Sequence, residues 1–150
     1  MKNAADFSNT PTPDPPAGLR IDDEAEACAA TLVACLHANE LYGMTENAAF
    51  YATIQNRNIF KGHDAKMLIA GAERHYEQAG SPAALIDAAI GAIREQTRLP
   101  LYYQCIDVIL ADGLVTPREH KMLQYLKAKF KVSDAAAEKG LEVLLAKNQL

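Results

Sequence analysis

The sequence predicts an all-α fold, a compact bundle of about seven helices built from two related helix-turn-helix halves. Three observations carry this expectation. From residue 22 onward apolar residues recur at helical spacing, and helix-start signatures stand ahead of them. No stretch shows sustained alternation of β-branched residues, and alanine is frequent in every segment. A faint internal repeat of one helix-turn-helix unit suggests the two related halves.

The chain begins with a segment of another kind. Four of its seven prolines sit together in TPTPDPP (Pro11, Pro13, Pro15, Pro16). Clustered prolines remove backbone donors and fix φ, so residues 1–20 are expected to form a disordered Pro-rich tail. Residues 21–150 are then the helical domain. Asp22 can cap a first helix over residues 23–38, with Ala25, Cys28, Ala29, Leu32, Cys35 and Leu36 on one face. Asp23, Glu24 and Glu26 in its first turn complement the helix dipole. Thr45 can open a second helix carrying Phe50, Tyr51 and Ile54. Asp64 can open a third, with Met67, Leu68, Ala72, His75 and Tyr76, ending at Gly80. Ser81-Pro82 is a cap followed by proline at the first helical position, and starts a fourth helix with Leu85, Ile86, Ala89, Ile90 and Ile93. Pro100 is expected to begin a fifth, Thr116-Pro117 a sixth, and Ser133 a seventh holding Ala137, Leu141, Leu144 and Leu145.

Composition excludes several classes of function. With 150 residues the chain fits one ordinary domain and is too short for an α/β barrel. A mean hydropathy of −0.13 and the lack of an 18-residue apolar run exclude a membrane span. MKNAADFSNT has no apolar core of the kind a secretory signal needs, so a cytoplasmic location is expected. A formal net charge of −4 argues against general nucleic-acid binding. That charge is unevenly spread. Residues 21–116 hold six Lys/Arg against thirteen Asp/Glu, and residues 117–150 hold seven against four. The lysines at 121, 127, 129 and 131 either form a solvated helix face or a basic patch that docks an acidic partner or an anionic membrane surface.

The three cysteines, an odd number, point to a reducing compartment rather than a disulfide framework. Cys28 and Cys35 lie about 10 Å apart along one helix, too far to bridge. With Cys105 they read as small core residues. Four histidines (His37, His63, His75, His120) share no H-x-x-x-H or H-E-x-x-H spacing, and no G-x-S-x-G is present. His75 is expected in the core with a hydrogen-bond partner and His63 in solvent. His37, beside Asn39 and Glu40, is the one candidate ligand.

The segment richest in motif content is Asp107 to His120, DVILADGLVTPREH. Gly113 can close one helix in the left-handed conformation, and Thr116, Pro117 and Glu119 form a T-x-x-E capping box for the next. Every residue of the turn thus has a structural reason to be there. The functional alternative is a divalent-cation site, because Asp107, Asp112 and Glu119 are hard oxygen ligands around a tight turn. It is not an EF-hand. Setting Gly113 and Glu119 at loop positions 6 and 12 puts Leu110 and Val108 where acidic ligands belong. Asp107 and Asp112 also lie about 140° apart around a helix, so a shared ion needs ligands from elsewhere. A faint repeat offers them. HANELYGMTEN (residues 37–47) matches LADGLVTPREH (residues 110–120) after a two-residue insertion, pairing Asn39 with Asp112 and Thr45 with Thr116. Facing units of this kind would pool Asn39, Glu40, Asp112 and Glu119.

DVILADGLVTPREHKMLQYLKAKF, followed by LEVLLAKNQL at the end, resembles the tellurite-resistance TerB family, in particular its cyanobacterial-type branch. The likeness is good from Leu99 to Leu150 and looser from Ala27 to Ile59. It implies an all-helical domain of two related halves. It also implies a non-enzymatic cytoplasmic accessory protein of a tellurite-resistance and stress-response system, working with a protein partner at the membrane. The resemblance further implies divalent-cation binding (calcium or magnesium) at Asp112 and Glu119, with Asp107 nearby. In the first unit Asn39-Glu40 stands where the family has Asp-Gly, which changes the turn and replaces a charged ligand with a neutral one. Two other readings stand beside this one. One is a helical interaction module without metal, forming homodimers through adjacent Tyr102 and Tyr103, which cannot both face one core. The other is a small metal-dependent enzyme.

Overall fold

The computed structural model describes residues 19–38, 44–110 and 115–150; most of the proline-rich tail lies outside them. Among the described residues the chain forms seven α-helices: α1 (Glu24–His37), α2 (Met44–Asn56), α3 (Ala65–Ala79), α4 (Pro82–Ala89), α5 (Glu95–Ile109), α6 (Pro117–Phe130) and α7 (Asp134–Lys147). Two single 3₁₀ turns, Asn58–Phe60 and Ile90–Ala92, sit in the α2–α3 and α4–α5 connections. The all-α expectation is met.

Helix α1 is the axis of the bundle. The sequence marks one apolar face on it, but the helix is buried all round: Ala27, Ala30, Thr31, Val33 and Ala34 are enclosed along with the expected residues. A helix apolar on every side belongs in the interior. Helices α3, α4 and α5 pack against it, with α2 at its end, and its alanines let those neighbours approach closely. The one hydroxyl among the enclosed side chains is satisfied locally, since Thr31 Oγ1 donates to the Ala27 carbonyl at 2.9 Å. Leu85 and Ile86 of α4, Ile106 and Ile109 of α5, and Met122 and Leu126 of α6 complete the core.

Caps follow the expected chemistry at most helix starts. Asp64, Ser81, Thr116 and Ser133 each accept a backbone N–H with their side chains, and Gly80 ends α3 at φ 86°. On α1 the cap is Asp23, one residue later than expected, accepting from the Glu26 amide. The larger correction is at α5. This helix starts at Glu95, so Pro100 lies inside it, in the second turn. Proline there cannot donate to the Gln96 carbonyl. Both residues are exposed, so that carbonyl faces solvent and the loss is tolerated.

What starts α5 comes from far along the chain. Arg94, its N-cap residue, makes no side-chain cap of its own. Instead Glu24 of α1 accepts the Arg94 backbone N–H through Oε2 and the Arg94 guanidinium through Oε1, both at 2.9 Å. Burial raises the Glu24 pKa, but hydrogen bonds from the Arg94 amide, the Thr97 side chain and the Arg94 guanidinium outweigh it and hold the carboxyl below its ordinary value. A carboxylate borrowed from α1 thus caps α5.

Helix α7 is the peripheral element, packed on α5. Gly140 is its one fully enclosed residue, and a Cβ built there would fall 2.2 Å from Cε1 of Tyr103. The Tyr103 hydroxyl donates to the Ala136 carbonyl at 2.9 Å, so this ring is clasped by α7. Tyr102 turns the other way, into the core. Of the adjacent tyrosines, Tyr103 is thus the half-buried one, held against the chain's own last helix.

Two predictions follow from these contacts. Glu24→Gln should lower stability at neutral pH by about 1 kcal/mol, as loss of a helix cap does. Because the folded-state pKa of Glu24 is depressed, its contribution is present at neutral pH and lost as pH falls below the ordinary carboxylate range. Urea melts of both proteins should therefore differ at pH 7 and converge in acid. Gly140→Ala should cost about 2 kcal/mol, since the ring or the helix must move. Thermal denaturation measures it, and an unchanged midpoint would refute the close seat of α7.

Candidate functional site

The end of α1 and the start of α6 meet. Helix α1 finishes at His37, whose backbone carbonyl accepts from Arg118 Nη2 at 3.0 Å. Arg118 is the second residue of α6, so this bond ties the last residue of α1 to the first turn of α6 across 81 residues. The His37 ring is held as firmly. Its Nε2 donates to Glu73 Oε1 at 2.7 Å, and the ring stacks on Tyr76 with centroids 3.8 Å apart and planes 5° from parallel. Glu73 and Tyr76 are one turn apart on α3, which places both on the same side of that helix. His37, the sequence's candidate ligand, thus spends Nε2 on a carboxylate.

Glu119 follows Arg118 and is enclosed completely, a carboxylate among the largest fully buried side chains. Oε1 accepts the Thr116 amide at 3.0 Å, and the Thr116 hydroxyl accepts the Glu119 amide at 3.1 Å. The capping box is therefore formed in full. Asp107 is engaged elsewhere: both its oxygens accept from Lys147 Nζ of α7, at 3.0 and 3.2 Å. Of the five candidate metal ligands, Asn39, Glu40 and Asp112 lie outside the described residues. Among the described residues, no group of three or more His, Cys, Asp or Glu is arranged to hold a metal ion.

Histidine and carboxylate also meet in a cleft between the start of α1 and α3, lined by Glu26, His63, Asp64 and His75. His63 is exposed, as expected. His75 differs from expectation, because it is half-buried with an enclosed Nδ1 that has no hydrogen-bond partner among the described residues. Asp64 Oδ1 already caps α3 through the Met67 amide at 3.2 Å. The cysteines are free and buried. Burial, then the nearby Glu24 and Asp23 charges, pushes the Cys28 thiol up to about 12. Burial and Cys35 raise Cys105 well above its ordinary range. Both are protonated thiols at neutral pH, which suits core residues and not nucleophiles.

The basic run on α6 is partly structural. Lys127 pairs with Asp134 at the start of α7, holding that carboxyl below its ordinary value. Lys129 pairs with Asp87 of α4 at 3.1 Å and lies 5.5 Å from the centre of the Tyr125 ring. Tyr125 donates to the same Asp87 at 2.6 Å. Lys121 and Lys131 remain exposed. The sequence contained the residues of the turn but missed Glu73 and Tyr76. Their spacing is ordinary for a helix face, and their role arises only where α1 ends against α3.

The protein-family model described as Tellurite resistance protein TerB matches residues 25–140. No curated protein and no solved structure matches the chain.

Removing the guanidinium should test how the two turns are joined. Arg118→Ala is expected to lower stability by about 1–2 kcal/mol, the cost of a lost hydrogen bond from a charged donor. It should also accelerate amide hydrogen exchange in the last turn of α1 and the first turn of α6. Exchange unchanged at both helix ends would show that Arg118 does not join them.

Proposed function

The chain belongs to the tellurite resistance TerB family, and from that premise we propose a non-enzymatic accessory role in a tellurite-resistance and stress-response system. Its working end is the one where the last residue of α1 meets the first turn of α6. That end takes up a divalent cation, calcium or magnesium, through Asp112 with Glu40 and Asn39 from the other connection. Asp107 and Glu119 serve the fold, since Lys147 and the capping box already occupy them. The observation that carries this reading is the bond from Arg118 to the His37 carbonyl. It joins a residue just before the segment of Asn39 and Glu40 to a residue a few positions after Asp112, which supports the reading. Hard oxygen donors from two segments are the set such a cation prefers.

The non-enzymatic part rests on how the reactive groups are spent. His37, Glu119 and Asp107 each have structural partners, and two thiols are held protonated. The protein works in the cytoplasm and acts by contact with a protein partner at the membrane. Among the described residues no helix is long and apolar enough to cross a membrane.

Titration of calcium or magnesium followed by NMR tests the cation. Amides of residues 38–44 and 111–116 are expected to shift together and saturate, and Asp112→Asn should weaken the response at least tenfold. Silent amides at millimolar metal would remove the cation from the function.

A further inference from the structure

A cavity of about 470 Å³ opens between α1, α2, α5 and α7. Its size falls in the range of about 300–1,000 Å³ typical of small-molecule sites. Leu32, Phe60 and Leu101 form its floor, with Ile59 and Leu144 on the walls. Transfer of methylene groups from water to such a surface is favourable. On one side Gln104 Nε2 donates to Thr53 Oγ1 at 3.0 Å, so these polar groups answer each other and leave the interior to an apolar guest.

The charges stand at the mouth. Lys147 is shared with Asp107, and that pair ties the end of α7 beside the opening. Arg57 is exposed and has no ion-pair partner among the described residues. Elsewhere in the lining burial keeps the Cys28 thiol protonated, and the Tyr103 hydroxyl is spent on the Ala136 carbonyl. Two cations and one carboxylate leave a single uncompensated positive charge beside an apolar interior.

We propose that this cavity binds a single-tailed amphiphile with one negative charge, a medium-chain carboxylate whose tail lies on the apolar floor and whose head takes Arg57 as counter-ion. A cationic head would meet Arg57 and Lys147 unfavourably, and an uncharged one would leave Arg57 unanswered. The inference rests on the cavity alone and not on the cation reading, whose residues lie in the two connections.

Decanoate is the probe, titrated into the full chain by calorimetry and followed through methyl NMR signals. Saturable one-to-one binding is expected, with shifts at Ile59, Leu101 and Leu144. Decyltrimethylammonium should bind at least tenfold more weakly. Arg57→Gln, a change at an exposed position, should weaken decanoate about tenfold and leave decan-1-ol unchanged. Absence of saturable decanoate binding overturns the proposal, as does equal binding of the cationic amphiphile or indifference to Arg57→Gln. Sedimentation with anionic phospholipid vesicles without decanoate uptake would also overturn it, in favour of a membrane surface.

Discussion

Enclosure of α1 on every side is the constraint from which the rest of the architecture follows. A helix that gives no face to water must be covered by at least three neighbours, and α3, α4 and α5 are those neighbours. Its alanines make the arrangement feasible, because small side chains permit close axes and fill the space between them without voids. The cost is that α1 has little surface with which to declare its ends. Apart from Thr31, its polar side chains lie at the two termini, where Asp23, Glu24 and Glu26 stand at one and His37 at the other.

Those termini are where the distant parts of the chain are fastened. At the first, Glu24 reaches the start of α5; at the second, the His37 carbonyl receives Arg118 from α6, and its ring is held by α3. The core supplies the driving force for collapse but little direction along the helix axes, because apolar contact is non-directional. Charge-assisted hydrogen bonds at both ends of α1 supply that direction. The buried Glu119 belongs to the same scheme. It satisfies the N-terminus of α6 from within the same turn, and Arg118 beside it reaches α1.

This division explains what could be read from the sequence. Helix identity, the caps at Asp64, Ser81, Thr116 and Ser133, and the full capping box depend on neighbours within four residues, and these were legible. The start of α5 was not. Pro100 carries the strongest local signal for a helix beginning, whereas the actual cap is a carboxylate seventy residues earlier. The complete burial of α1 was also hidden, because alanine and threonine read as neutral positions on a helical wheel while serving as enclosed ones here. At the candidate site, the acidic turn could be picked out by composition. Its partners could not, since Glu73 and Tyr76 matter only through where α1 stops. The basic run shows the converse. A cluster of lysines reads as one patch, yet Lys127 and Lys129 are divided between two different helices by their carboxylate partners.

The notch at Gly140 gives α7 a particular kind of freedom. Shifting the helix by one residue would set a methyl or larger group against the Tyr103 ring, and rotating it would do the same. Sliding is therefore closed to this helix, and so is gradual tilting about the ring. Its motions reduce to two positions, seated or lifted away as a unit, with the Tyr103 hydroxyl and the Asp107–Lys147 pair released together. Lifting it would also break the Lys127–Asp134 pair at its start, so three ties together hold this peripheral helix over what lies beneath its end.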